Sequence, residues 1–251
     1  VNKVTFSAKV ITDKPYFAYR GAHLDSARHF FSADSVRIYI DMLALHNINK
    51  FHWHLTDDQG WRFESKKYPE LTIVGSTRSQ TMIAKEWDKF DGKPHSGFYT
   101  QQEMKELVKY AADRNITIIP EIDLPGHMVA VLATYPKLGC TGGPYKVRET
   151  WGVAEDVLCA GNDETYDFIK NILEEVTEIF PSEYIHIGGD ECPKTNWKKC
   201  PKCQAKIKNL GIKGDSKHTS EEYLQSYVIT FAEEVLAKKG RKMIGWDEIL
   251  E

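Results

Sequence analysis

Two adjacent acids close the segment Tyr184-Ile185-His186-Ile187-Gly188-Gly189-Asp190-Glu191, an apolar run that passes through two glycines. Neighbouring carboxylates repel, so each must be hydrated or paired, and one can hold a proton while the other stays charged. Glycines let the backbone turn sharply and let a ligand approach closely. A strand tip carrying such a pair is a place for proton-transfer chemistry, one acid holding the proton beside a charged partner. A solvated loop after a buried strand is the plain alternative.

Ionisable groups recur at comparable places. Arg20 sits in a strand-like run at 17–24, and Asp57-Asp58 follow a second at 51–55. Asp123 and His127 follow a third at 116–122, Asp190-Glu191 a fourth at 184–187, and Trp246-Asp247-Glu248 close a fifth at 242–246. Repetition at successive strand ends is far more informative than any single acid.

The segments between these runs read as helices. Val36, Ile40, Leu43 and Ala44 have helical spacing after the capping residues Ser32-Ala33-Asp34-Ser35. A second helix is expected over 101–114, opened by the capping box Thr100/Glu103. A third covers 164–180 and stops at Pro181, and a fourth covers 221–239 and stops at Gly240. Strands alternating with helices predict a parallel sheet. In a (β/α)8 TIM barrel every strand directs its C-terminal end to one shared face, where catalytic residues gather. Five β/α units are legible, whereas closure needs eight. The expected organisation is therefore the front part of a longer, C-terminally incomplete catalytic barrel over 14–251, with 1–13 the end of a preceding domain or a linker.

The 251 residues are 41% hydrophobic, with 33 basic and 36 acidic residues and a net charge of -3. No basic stripe stands out, which argues against nucleic acid as a partner. No apolar run is long enough to cross a bilayer, and residues 1–5 lack the pattern of a signal peptide. The five cysteines include a C-x-x-C pair, Cys200 and Cys203, with Cys192 upstream. A zinc site would want a fourth ligand at a regular spacing, and no second C-x-x-C or H-x-x-x-H appears. No metal is expected on this ground. Disulfides of an exported protein, such as Cys140 with Cys159, are the preferred reading, with free thiols the alternative.

Taken together, the motifs resemble glycoside hydrolase family 20, the β-N-acetylhexosaminidases. The matching stretches are Tyr19-Arg20-Gly21 through Leu24-Asp25, Arg28-His29-Phe30, and 52–62 (His-Trp-His-Leu-Thr-Asp-Asp-Gln-Gly-Trp-Arg). They continue with 120–127 (Pro-Glu-Ile-Asp-Leu-Pro-Gly-His), 186–191 and Gly245-Trp246-Asp247-Glu248, all in the family's order. The resemblance implies substrate-assisted hydrolysis, in which the sugar's own 2-acetamido oxygen attacks C1. It assigns the general acid/base to Glu191 and the acetamido N–H acceptor to Asp190. Arg20 would grip sugar hydroxyls; an ion pair with Asp123 is its structural reading, and both can hold, since the pair would fix the guanidinium and so place Asp123 among the substrate-binding residues. Asp57 and His127 would tune the acid/base, and Trp246 would wall the acetamido pocket. It implies no cofactor, N-acetylhexosamine-terminated oligosaccharides or glycoconjugates as partners, and a secreted, periplasmic or cell-surface location. Further pocket residues of the family lie on later strands.

Two rival readings stand beside it. His52 and His54 share one strand face, as in metal-dependent barrel hydrolases, with His186 as a further candidate ligand. A non-catalytic sugar-binding fragment is the other.

Overall fold

Alternating strands and helices build a mainly parallel sheet in the computed structural model, which describes residues 3–5 and 7–250. The strands are β1 (Gly21–Asp25), β2 (Lys50–Asp57), β3 (Thr117–Ile122), β4 (Tyr184–His186) and β5 (Lys242–Ile244). They pair in sequential order, each parallel to the next. Among the described residues β1 and β5 each have one neighbour, so this is an open path and not a closed barrel. The helices between them are α1 (Ala33–Leu45), α2 (Gln101–Ala112), α3 (Asp163–Ile179) and α4 (Ser220–Lys238).

Local chemistry accounts for the helix ends. The Ser32 side chain accepts the Ser35 N–H to open α1, and capping boxes at Thr100/Glu103 and Thr219/Glu222 open α2 and α4. Asn162 caps α3, which ends before Pro181, and Gly240 follows α4 with φ of 69°. Phe168, Ile169, Ile172, Leu173 and Val176 form the buried stripe of α3. Each such side chain contributes about 1.5–3 kcal/mol on burial, which fixes the helix against the sheet.

The expected boundaries shift in two places. The first strand begins at Gly21, not at residue 17, so Arg20 lies just before it. The last strand ends at Ile244, which leaves Trp246 beyond the ladder. The segments after β2, β3 and β4 also carry short elements that apolar periodicity does not reveal. Gly60–Trp61 folds back antiparallel onto Thr56 and Asp57, and helices Thr195–Lys199 and Pro201–Leu210 follow β4.

Register places the chemistry. One rung across the sheet reads Asp25, His54, Glu121, His186 and Ile244. Strand side chains alternate in direction, so His52 sits one step down on the same face as His54.

Candidate active site

Beyond β4 the chain turns at Gly188, with φ of 66°, and delivers Asp190 and Glu191. A Cβ at Gly188 would stand 1.8 Å from Asp123 Oδ1, so only glycine lets the β3 and β4 segments approach this closely. Glu191 itself has φ of 42° and His127 has 53°, conformations that side chains rarely adopt away from functional sites.

His127 joins the acids. Its Nε2 lies 3.6 Å from Asp190 Oδ2 and 3.3 Å from Glu191 Oε2, while Nδ1 lies 3.3 Å from Asp57 Oδ1 and 3.5 Å from Asp58 Oδ2. Neither ring nitrogen makes a hydrogen bond, so these are ion-pair contacts around a buried imidazole. Burial disfavours the charged ring, but Asp190, Asp57 and Asp58 outweigh it and hold His127 well above the ordinary histidine range. Asp190 is mostly covered, whereas the Glu191 side chain is 46% exposed and borders a hollow of about 300 Å³.

A second layer lies beneath. His54 is 2.6 Å from Glu121 through Nδ1 and 2.9 Å from Asp57 through Nε2. Burial again opposes the charge, but Glu121 and Asp57 overcome it and hold His54 well above the ordinary histidine range, with Nε2 hydrogen-bonded to Asp57 and Nδ1 in ion-pair contact with Glu121. Asp57 also takes Arg28 Nη2 at 2.8 Å. Burial works against the Asp57 carboxylate, but His127, His54 and Arg28 hold it far below the usual range. Asp123 differs. Complete burial, reinforced by Asp190 and Asp57 and only partly offset by His127, pushes its acid well up. Its Oδ1 has no hydrogen-bond partner. We read Asp123 as a neutral acid and Asp57 as an anion, two environments that push the same side chain in opposite directions.

Trp246 closes one side. Its Nε1 donates to Glu121 Oε1 at 3.0 Å, and its ring packs 5.0 Å from His186 and 5.6 Å from His52. At 37% exposure the ring still offers a face to solvent.

The structure thus brings together Asp57, Asp123, His127, Asp190 and Glu191, with Trp246 reached through Glu121. It does not bring Arg20 to them. The Arg20 guanidinium donates to the carbonyls of Asn47 at 2.6 Å and Phe17 at 2.7 Å, and the expected pair with Asp123 is not formed. The cause is position, because Arg20 stands at the entrance of β1 while Asp123 lies past the end of β3. Sequence alone does not single out Arg28 or Glu121, and it offers His54 only as a metal ligand in the rival reading. The available signal was parity, since Glu121 and Asp123 share one face of a strand otherwise rich in apolar residues.

Groups that could hold a cation include His52, Glu121 and His186. Glu121, however, already accepts from His52 and Trp246 and contacts the His54 cation, so a metal would displace donors and meet a positive charge. The cysteines depart from expectation. No disulfide is formed, and Cys140 and Cys159 join Cys200 and Cys203 in one group, while Cys192 is buried outside it. Linear spacing hid this grouping, because two long loops supply it.

Comparison with known proteins identifies the family. The glycosyl hydrolase family 20 catalytic domain matches residues 17–251. A beta-hexosaminidase of Porphyromonas gingivalis is 51% identical over 241 residues, which cover 96% of this chain and 29% of that protein. A beta-hexosaminidase of Vibrio furnissii is 42% identical over 95% of this chain and 38% of its own length, so the chain spans well under half of these relatives. Among solved structures, an exo beta-N-acetylglucosaminidase of Vibrio harveyi in complex with N-acetylglucosamine superposes with a TM-score of 0.79 at 39% identity, covering 94% of this chain and 36% of that one. With the family's catalytic domain matched from residue 17 to residue 251, the chain belongs to glycosyl hydrolase family 20.

Proposed function

We propose that this chain supplies the acid/base centre of a retaining β-N-acetylhexosaminidase that removes terminal, non-reducing GlcNAc or GalNAc by substrate-assisted catalysis. The observation that carries the reading is the convergence of Asp190 and Glu191 on one nitrogen of His127, whose other nitrogen faces Asp57 and Asp58. A buried imidazolium lets two carboxylates share a site without mutual repulsion dominating.

Glu191, the more exposed acid, gives its proton to the glycosidic oxygen as the C1–O bond breaks and the 2-acetamido oxygen bonds to C1. Asp190 accepts the acetamido N–H and stabilises the positive oxazolinium. The Glu191 carboxylate then takes a proton from water, whose oxygen attacks C1 and reopens the ring. Two inversions leave the configuration retained. Trp246 faces the acetamido methyl, and Asp57, Asp123 and His127 set the charge beneath the pair. Arg20, held by main-chain carbonyls at the entrance of β1, takes no part in this scheme.

In this scheme 14–251 contribute β/α units of a (β/α)8 barrel, and 1–13 belong to the end of a preceding domain or to a linker. The family match, which begins at residue 17, supports placing the first residues outside the barrel. The substrates are N-acetylhexosamine-terminated glycans met in a secreted, periplasmic or cell-surface setting. No helix among the described residues is long and apolar enough to cross a membrane.

The test compares an aryl N-acetyl-β-glucosaminide with the matching aryl β-glucoside, using this chain within a polypeptide of its relatives' length. Cleavage of the first alone is expected. Similar rates on both would mean that a protein group or water attacks C1, and the mechanism would fall.

A further inference from the structure

Four cysteines that this chemistry does not use meet at one point. Cys140 and Cys159 come from the long segment between β3 and α3, and Cys200 and Cys203 from the start of helix Pro201–Leu210. Their sulfurs all lie within 4.8 Å of one another. Cys140 and Cys203 are 3.8 Å apart, and Cys159 is 3.7 Å from both Cys200 and Cys203. A disulfide would bring two sulfurs to about 2.05 Å. Four thiolates bound about 2.3 Å from one zinc ion occupy a tetrahedron whose edge is about 3.8 Å. The three separations of 3.7–3.8 Å match that edge. Three of the four residues are buried and Cys140 is half-buried, as befits a closed structural site with no open coordination position.

We propose that Cys140, Cys159, Cys200 and Cys203 hold one zinc ion as a structural tetrathiolate. This inference does not rest on the glycosidase reading. Soft thiolates select zinc over the hard cations magnesium and calcium. Cys200 stands at the N-cap of helix Pro201–Leu210 and Cys203 in its first turn, so one helix start carries both sulfurs. Cys159 is itself pinned, its N–H donating to Leu138 O at 2.7 Å and its carbonyl accepting Thr165 Oγ1 at 2.9 Å. The two segments already touch, since a Cβ at Gly161 would stand 2.1 Å from the Lys202 carbonyl carbon. Binding exchanges four S–H bonds for four Zn–S bonds and releases four protons to solvent. The ion would bolt the loop following Asp123 and His127 to the one following Asp190 and Glu191.

The test is elemental analysis of the full chain, produced in zinc-supplemented medium, kept reduced and desalted. About one zinc per chain is expected. Cys140→Ser and Cys203→Ser should lower retained zinc by more than ~10-fold, and Cys192→Ser should leave it unchanged. Chelation should lower the Tm of the parent and not that of Cys140→Ser, which circular dichroism must show to be folded. Cobalt exchanged for zinc should give the absorption of a tetrahedral thiolate complex. Four freely titrating thiols after zinc incubation, disulfide-linked masses, iron in place of zinc, or full zinc retention in both serine variants would each overturn the proposal.

Discussion

Replacing Gly188 by Ala tests how the Asp190-Glu191 pair is aimed. The new Cβ meets Asp123 Oδ1 at 1.8 Å and Cγ at 2.4 Å, and the backbone must stay at φ of 66°. A side chain in that left-handed conformation costs about 1–2 kcal/mol. Forcing extra volume into a packed site costs about 1–3 kcal/mol more. The sum is ~2–5 kcal/mol, and each kcal/mol lowers Tm by about 2–4 °C in a chain of this size. The two contributions separate in a double-mutant cycle with Asp123→Ala, which removes the clashing atoms and leaves Cα at 3.1 Å as the next contact. In that background Gly188→Ala should cost only the backbone part, giving a coupling of about 1–3 kcal/mol. Chemical denaturation of the four proteins measures it. Additivity within ~0.5 kcal/mol would show that contact with Asp123 is not why glycine is needed.

Glu191→Gln should keep sugar binding while slowing substrates with poor leaving groups most, whereas Asp190→Asn should slow all leaving groups alike; identical patterns in an aryl leaving-group series would refute the division of roles. Asp123→Asn tests the neutral acid through pH. Its pKa is raised from the ordinary 3.8, so the unfolded acid ionises first and the parent loses stability as pH rises above that value. Asparagine has no such loss, so its stability advantage should grow from pH 4 towards pH 7, by about 1.4 kcal/mol for each pH step of one while the folded acid stays protonated. Denaturant titrations at several pH values read this directly, and a difference that does not change with pH would mean that Asp123 is ionised.

Much of this architecture is written locally. The capping boxes at Thr100/Glu103 and Thr219/Glu222 and the stops at Pro181 and Gly240 need only neighbouring residues, so helix positions are legible within one or two residues. The pairing of Asp190-Glu191 with His127 and Asp57 was legible only through the resemblance, since residues 57, 127 and 190 meet through sheet register. Arg20 misleads because a strand-like composition at 17–20 carries no ladder, and its guanidinium finds nearby carbonyls. The cysteine cluster is the clearest gap. Local spacing exposes only Cys200 and Cys203, and their two companions arrive on a loop that no short-range pattern places.

Arg62 adds a last point. It is fully buried, and its guanidinium takes the carbonyls of Ser26, Ala27, Ser76 and Gly97, drawing together loops that follow β1 and β2. All of these partners are main-chain oxygens, present whatever side chain a position bears. These loops can therefore exchange side-chain identities while the anchor beneath them stays the same. Novelty in the loops is decoupled from architecture at the root, provided the one cation and the loop lengths persist.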